Sequence, residues 1–341
     1  MENVELKHKT MLYEPLENQR VHCFLCSHHC RIAPSNNGIC GVRRNEEGIL
    51  YTMAYGSVIA SHIDPIEKKP LYHFLPGSES YSIATIGCNF RCGFCQNWEI
   101  SQVRFTDAVD TVAPDVVPEG IVKEALKLKC ASISYTYTEP TIFFEYAMDT
   151  ALLAKEKGLK NVFVTNGYMT SECLKMAKSF LDAANVDLKF FDDAAYQKNC
   201  QARLQPVKET IRLMREMGIW VEVTTLVVPG ENDSLEQLRG IAEFISGVDK
   251  NIPWHVSRFH PDYKLTDRPA TPVETLKKAL AIGQEAGLTY IYAGNVHGFG
   301  SDTICPHCQK TLIKREGLRI LESNIKSGAC FSCQRTVPGV F

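Results

Sequence analysis

No apolar run in the sequence approaches the roughly 20 residues that a bilayer-spanning helix needs, and the polar start MENVELKHKT lacks the apolar stretch of a secretory signal. A charge bias is missing too. Against 39 acidic side chains stand 37 basic ones, for a formal charge of −2, and no block of like charges marks a tail. These absences predict a cytoplasmic chain with no membrane partner and no whole-chain field for nucleic acid. Disulfides are rare in that compartment. Since the chain nonetheless carries 14 cysteines, metal binding is the first explanation to test.

The cysteines fall into groups: Cys23, Cys26, Cys30 and Cys40; Cys88, Cys92 and Cys95; and Cys305, Cys308, Cys330 and Cys333. Cys130, Cys173 and Cys200 stand alone and read as small buried hydrophobes. The groups divide the chain into an N-terminal cysteine-rich metal-binding module (1–75), a central domain (76–300) and a C-terminal zinc ribbon (301–341).

In the central domain, β-type runs at Ser82–Gly87, Ala131–Tyr137, Asn161–Gly167, Asn185–Phe190, Trp220–Val227, Trp254–His260 and Tyr290–Asn295 alternate with helical patterns at Gly120–Leu128, Thr141–Lys157, Val207–Met217, Ser234–Ile245 and Pro272–Ala286. This predicts parallel β/α architecture. Thr271, Pro272 and Glu274 read as a capping box opening the last helix. Period two sets Asp187 and Lys189 against Val186 and Leu188, and Glu222 and Thr224 against Val221 and Val223. A sheet covered on both faces reads as continuously apolar. One polar face on strand after strand instead predicts a rolled sheet, a partial (β/α)6-type barrel with a wet interior. Chemistry on such a fold sits at the C-terminal strand ends.

Directly after the first of these strands comes Gly87-Cys-Asn-Phe-Arg-Cys-Gly-Phe-Cys95, a C-x3-C-x2-C spacing. Three thiolates can hold three irons of a [4Fe-4S] cluster whose ligands are normally four cysteines, leaving one iron open to a small molecule. An incomplete zinc site is the bland alternative.

The triad resembles the signature of the radical SAM superfamily, in which the open iron chelates the amino and carboxylate groups of S-adenosylmethionine (SAM). Beyond the triad, GCNFRCGFCQNWEIS (87–101), TYTEPTIFFEY (136–146), VTNGY (164–168), NVDLKFF (185–191), VEVTTLVVPGENDS (221–234), PWHVSRFHPDY (253–263) and YAGNV (292–296) resemble the radical SAM enzyme of the AmmeMemoRadiSam system, a family related to the pyruvate formate-lyase activating enzymes. The resemblance implies that Cys88, Cys92 and Cys95 hold the cluster and that Phe94 lies near the adenine. Glu139, in Thr-Glu-Pro, stands where the superfamily has a Gly-Gly-Glu motif whose acid accepts from the SAM amino group, although the glycines are absent here. Thr165 and Asn166 match positions near the methionine end of SAM, and Asp187 and Lys189 an Asp-x-Lys pair close to its carboxylate. The bland readings are a helix N-terminal carboxylate for Glu139 and a plain salt bridge for Asp187 and Lys189. The resemblance also implies a one-electron donor of flavodoxin or ferredoxin type and partners with Memo-type and AMMECR-type domains.

Cys305-Pro-His-Cys308 and Cys330-Phe-Ser-Cys333 have the paired-knuckle spacing of a closed four-thiolate zinc site. The ribbon is locally basic, with six Lys and Arg against two Glu over 303–341, either a solvated face or a docking surface. The N-terminal four fit zinc or an auxiliary iron-sulfur cluster, and His28 or His29 could replace one ligand; otherwise His22, His28 and His29 read as surface residues. Alternation puts Arg258 and His260 on one face with Val256, and because a charge fits poorly beneath outer helices, both are expected to point into the barrel toward an anionic substrate or the SAM carboxylate. Asn295 and His297 are weaker candidates.

The sequence therefore predicts a radical SAM enzyme, an oxidoreductase or lyase, acting on a target the sequence does not name. One alternative is a glycyl radical activase, against which a ribbon crowding the barrel mouth would argue. Another is a protein- or RNA-binding module with an inactive barrel.

Overall fold

The computed structural model describes residues 8–103 and 116–341, so the polar start 1–7 lies outside the described residues. One eight-stranded sheet runs in the order Ile291–Gly294, Trp254–Arg258, Trp220–Val227, Ala183–Asp187, Lys160–Thr165, Ser132–Tyr135, Glu79–Ala84 and Ala60–Pro65. The first seven of these pair in parallel, in chain order. Ala60–Pro65, from within the range expected for the N-terminal module, adds to Glu79–Ala84 antiparallel. Among the described residues no pairing joins the two edge strands, so the barrel is open.

Helices Pro118–Lys127, Phe144–Glu156, Ser171–Ala177, Leu204–Glu216, Leu235–Val248 and Val273–Glu285 connect successive parallel strands. Their apolar stripes, such as Val207, Ile211 and Met214 on one helix and Leu238, Ile241 and Ile245 on another, are buried in one continuous core. The first parallel strand begins and ends three residues before the predicted one, because residues 85–87 turn away, with Gly87 at φ +92°. Ser171–Ala177 and Asp193–Cys200 were not predicted; they are short and announced chiefly by their caps, Thr170 accepting from Cys173 N–H and Asp192 from Ala195 N–H. The predicted capping box does not form. Thr271 Oγ1 donates to Val227 O (2.6 Å) and accepts from Phe259 N–H (2.8 Å), so it ties two strand ends together while Pro272 caps the helix with no side-chain bond.

The polar inner face exists, but its lower half is dry. Ser80, Ser132, Ser134, Glu222 and His255 are all buried, Ser80 Oγ lying 2.6 Å from Ser134 Oγ. Residues 66–75 plug this end of the barrel. The Glu222 carboxylate accepts from Tyr72 N–H (2.9 Å), His73 N–H (2.8 Å), Trp220 Nε1 (3.0 Å) and His255 Nε2 (2.6 Å). Asn185 Nδ2 donates to Pro70 O. A buried carboxylate with this many donors is satisfied where it stands, and here the plug itself supplies two of them.

The two cysteine-rich ends of the chain dock at opposite ends of the barrel. From the C-terminal ribbon, Arg315 reaches the plug, donating to Tyr72 O (2.9 Å) and stacking 4.2 Å over the Tyr72 ring. His73 Nδ1 donates to Pro338 O (2.7 Å), and the Leu75 and Val340 backbones pair. The ribbon thus covers the N-terminal strand ends and does not crowd the mouth. The N-terminal cysteine group packs at the other end: Cys26 bridges Met169, and Ser27 N–H donates to Tyr168 O, just past Lys160–Thr165. Arg43 and Glu145, both buried, pair at 2.5 Å and fasten this region to the helix Phe144–Glu156.

Candidate active site

Residues 87–101 leave the first parallel strand at its C-terminal end as an irregular loop, which its own polar groups and its neighbours hold. Arg91 donates to Cys88 O (2.6 Å), Phe90 O (2.9 Å) and Ile39 O. His28 Nε2 donates to Asn89 O at 2.7 Å, and burial lowers its pKa. His28 is therefore a half-buried strut with Nε2 already occupied. His29 and His22 face each other at 3.3 Å, with Glu14 on the far side of His22.

Within the loop, Cys88 Sγ accepts from Phe90 N–H (3.3 Å) and Cys95 Sγ lies 3.1 Å from Ser101 Oγ. Cys92 Sγ sits 3.5 Å from Cys200 Sγ. Cys200 is fully buried as expected, yet it faces a candidate cluster ligand. Nothing in the sequence spacing signals this, because the helix that delivers Cys200 was itself missed.

Glu139, Thr165 and Asn166 meet at the ends of two neighbouring strands. Glu139 is buried and accepts from Thr141 N–H (3.1 Å), Thr141 Oγ1 (2.5 Å), Thr165 Oγ1 (2.7 Å) and Asn166 N–H (2.8 Å). It thereby caps the 3-10 turn Pro140–Phe143, the role of the bland reading. Burial pushes its carboxyl above the ordinary value, and these donors only partly offset the effect. Asn166 Nδ2 donates to Asn89 Oδ1 (2.7 Å) and lies 3.9 Å from Cys88 Sγ, so Asn166 joins Glu139 to the cysteine loop.

Lys189 Nζ donates to Asp187 Oδ2 at 2.7 Å and stands 5.8 Å from the centre of the Phe94 ring. Burial works against the ammonium, but the Asp187 carboxylate and the Cys92 and Cys200 sulfurs prevail and hold its pKa well above the ordinary lysine value. Arg258 and His260 do not join this group. The residue that contacts the inner Glu222 is His255, so alternation puts Arg258 on the helix side with Trp254 and Val256. There Arg258 Nε donates to Thr271 O (2.8 Å). A guanidinium at a strand end reaches a loop carbonyl easily, which removes the objection to a charge on that face. His260, Asn295 and His297 are exposed.

The donor set fits a polynuclear cluster better than a single ion. Among the described residues only Cys305, Cys308, Cys330 and Cys333 form a set of metal-donor atoms all within 4.8 Å of one another; the triad is set wider. Asn89 Nδ2 and Thr224 Oγ1 are buried with no hydrogen-bond partner, Asn89 next to the first cysteine and Thr224 in register with Asp187. Unpaired buried polar atoms are costly, and these two are available to a bound group. Among the described residues no helix is long and apolar enough to cross a membrane.

Comparison with known proteins agrees with this geometry. The profile of the Radical SAM superfamily matches residues 82–245. An uncharacterized protein of Methanocaldococcus jannaschii is 45% identical over 329 residues, spanning 95% of this chain and 97% of its own. The pyruvate formate-lyase-activating enzyme of Clostridium pasteurianum is 24% identical over 213 residues, 56% of this chain and 84% of that one. SuiB of Streptococcus suis, solved with S-adenosylmethionine, is similar in fold at a TM-score of 0.51 and 14% identity, over 68% of this chain and 53% of SuiB. A superfamily profile seated on the cysteine loop and its strands, with a relative matching nearly end to end, leads to one conclusion: the chain belongs to the Radical SAM superfamily.

Proposed function

We propose that the chain acts through the C-terminal end of its barrel as the radical SAM enzyme of an AmmeMemoRadiSam-type system, with Cys88, Cys92 and Cys95 holding a [4Fe-4S] cluster. When bound, the cluster supplies one electron that splits SAM into methionine and a 5′-deoxyadenosyl radical, which takes a hydrogen atom from the substrate. The observation that carries this reading is that Asn166 contacts both Cys88 Sγ and the Glu139 carboxylate, putting thiols and a carboxylate at one strand end.

In this reading Glu139 accepts from the SAM ammonium, and Lys189, steadied by Asp187, donates to the SAM carboxylate. Two charge-assisted contacts of this kind fix the orientation of the sulfonium. Phe94 packs near the adenine, and Thr165 and Asn166 border the methionine end. The apolar wall of Phe90, Phe94, Phe190 and Tyr196 keeps water from the site. Arg258 and His260 have no part in holding SAM. The C-terminal four cysteines hold a structural zinc, supported by sulfur pairs 3.7 Å apart that match the edge of a tetrahedron with metal-sulfur bonds of about 2.3 Å.

The electron comes from a flavodoxin- or ferredoxin-type donor in the cytoplasm, and proteins with Memo-type and AMMECR-type domains are the partners; the motif resemblance supports both. Anaerobic reconstitution followed by dithionite and SAM tests the core of the proposal. The wild type should release 5′-deoxyadenosine. A yield no higher than that of a Cys88→Ala, Cys92→Ala, Cys95→Ala variant would end it.

A glycyl radical activase is the second reading. It gains from the docking of the ribbon at the closed end, which leaves the mouth open to a partner's loop. A glycyl doublet in the EPR spectrum of a candidate partner would favour it.

A further inference from the structure

The N-terminal cysteines and the C-terminal cysteines are both sets of four, yet they are arranged differently. At the C-terminus, Cys305 and Cys333 lie 3.7 Å apart, as do Cys308 and Cys330, and all four sulfurs fall within 4.8 Å of one another. That is the size of a shell around one ion. The sulfurs of Cys23, Cys26, Cys30 and Cys40 form no such tight set, although all four are free thiols. They line a common small cavity of about 20 Å³.

The cavity walls are otherwise mainly apolar, with Leu25, Ile32, Ile39 and Ile142 between the sulfurs. The backbone keeps the cup open. Cys23 N–H donates to Cys30 O, and the turn Gly38–Gly41 closes on itself at 2.9 Å to present Cys40. At Gly38 a side chain would begin 3.2 Å from Ile32 Cδ1, a tight approach, and in ordinary contact with Cys30 Sγ at 3.8 Å, so the turn packs closely beside the cup. A cubane with four cysteine ligands needs its sulfurs roughly 6 Å apart, well beyond the tetrahedral edge of about 3.8 Å around one zinc. Thiols that do not converge on one point, set in an apolar cup, fit the larger group.

From this geometry we infer that Cys23, Cys26, Cys30 and Cys40 hold a second [4Fe-4S] cluster. All four of its irons are ligated by protein, so it has no open position for SAM. It shares its surroundings with the cysteine loop. A Cβ at Gly87 would lie 2.9 Å from Cys40 O, and His28 and Arg91 span the two loops. Losing this cluster leaves the ligands of the central one in place.

The test reads metal content rather than turnover, so it is independent of whether the central site cleaves SAM. A Cys88→Ser, Cys92→Ser, Cys95→Ser variant leaves the cup untouched. After anaerobic reconstitution with iron and sulfide it should keep about four irons per chain, with the Mössbauer signature of a cubane and about one zinc at the ribbon. Finding two zincs and no iron would overturn the inference, and so would residual iron without the cubane signature. In the otherwise native chain, Cys26→Ser with Cys30→Ser should halve the iron and leave zinc unchanged; iron equal to wild type would also overturn it. Should the second variant not fold, the first decides alone.

Discussion

The Lys189 ammonium rests 2.7 Å from the Asp187 carboxylate, two residues back along the same strand end. The pair is only partly enclosed: the Asp187 side chain is 33% exposed, the Lys189 side chain 14%. An incoming carboxylate can therefore reach the lysine without breaking a sealed pair. Replacing Lys189 with Met should weaken SAM binding about tenfold to a hundredfold, the value of a charged hydrogen bond. Anaerobic equilibrium binding to the cluster-loaded protein measures it, and unchanged affinity would reduce the pair to scaffolding.

For Glu139 the expectation is double. Its four donors leave no place for an amide N–H, so Glu139→Gln should lower stability by about 1–3 kcal/mol as one donor is left facing another. If Glu139 also receives the SAM ammonium, SAM affinity should fall even at temperatures where the variant is fully folded. Thermal melts and binding measurements together separate the two roles, and a stability loss with normal SAM binding would assign Glu139 to capping alone.

Glu145 holds Arg43 in a pair from which solvent is excluded. Glu145→Ala should cost about 3–5 kcal/mol, because the guanidinium is left buried without its counter-charge. Denaturant unfolding would reveal the loss; a change under 1 kcal/mol would mean that other groups or water satisfy Arg43.

Acid should loosen the docking of the ribbon. Burial lowers the His73 pKa to about 4, while in the unfolded chain histidine titrates near 6.5. Between these values the unfolded state binds the extra proton. Stability is therefore fully present above about pH 6.5 and falls toward pH 4 by about 1.4 kcal/mol per unit. His73→Gln should be less stable at neutral pH and show a shallower acid limb; an equally steep limb would assign the titration to other groups.

Removing Cys305 and Cys308 should release about one zinc per chain and lower the melting temperature while leaving iron unchanged. Iron loss with zinc intact would show that the ribbon is misassigned.

Most of the barrel was legible because the alternation of Val186 and Leu188 with Asp187, and of Val221 and Val223 with Glu222, survives in the folded sheet. The cysteine loop was legible because its three thiols are local in sequence. What failed was nonlocal or competitive. The capping box at Thr271 was a valid local pattern, but Val227 O and Phe259 N–H claimed the hydroxyl. Arg258 lies on the helix side, against the expectation that a charge fits poorly there, because a strand-end arginine meets a loop carbonyl on that side. No spacing could foretell that residues 66–75 would fill the barrel base, or that Cys200 would come to rest against Cys92.

The bond from His73 to Pro338 closes a loop of 265 residues. On a ribosome adding residues from the N-terminus, the plug is made early and its clasp late. The whole barrel is synthesised before His73, Leu75 and Tyr72 can find Pro338, Val340 and Arg315. The buried Glu222 and His255 must therefore wait behind an unfastened base, a step whose rate is set by the search for a very distant contact. A nascent chain stalled before the ribbon emerges should expose this base to proteases, while the cysteine loop at the other end is already enclosed.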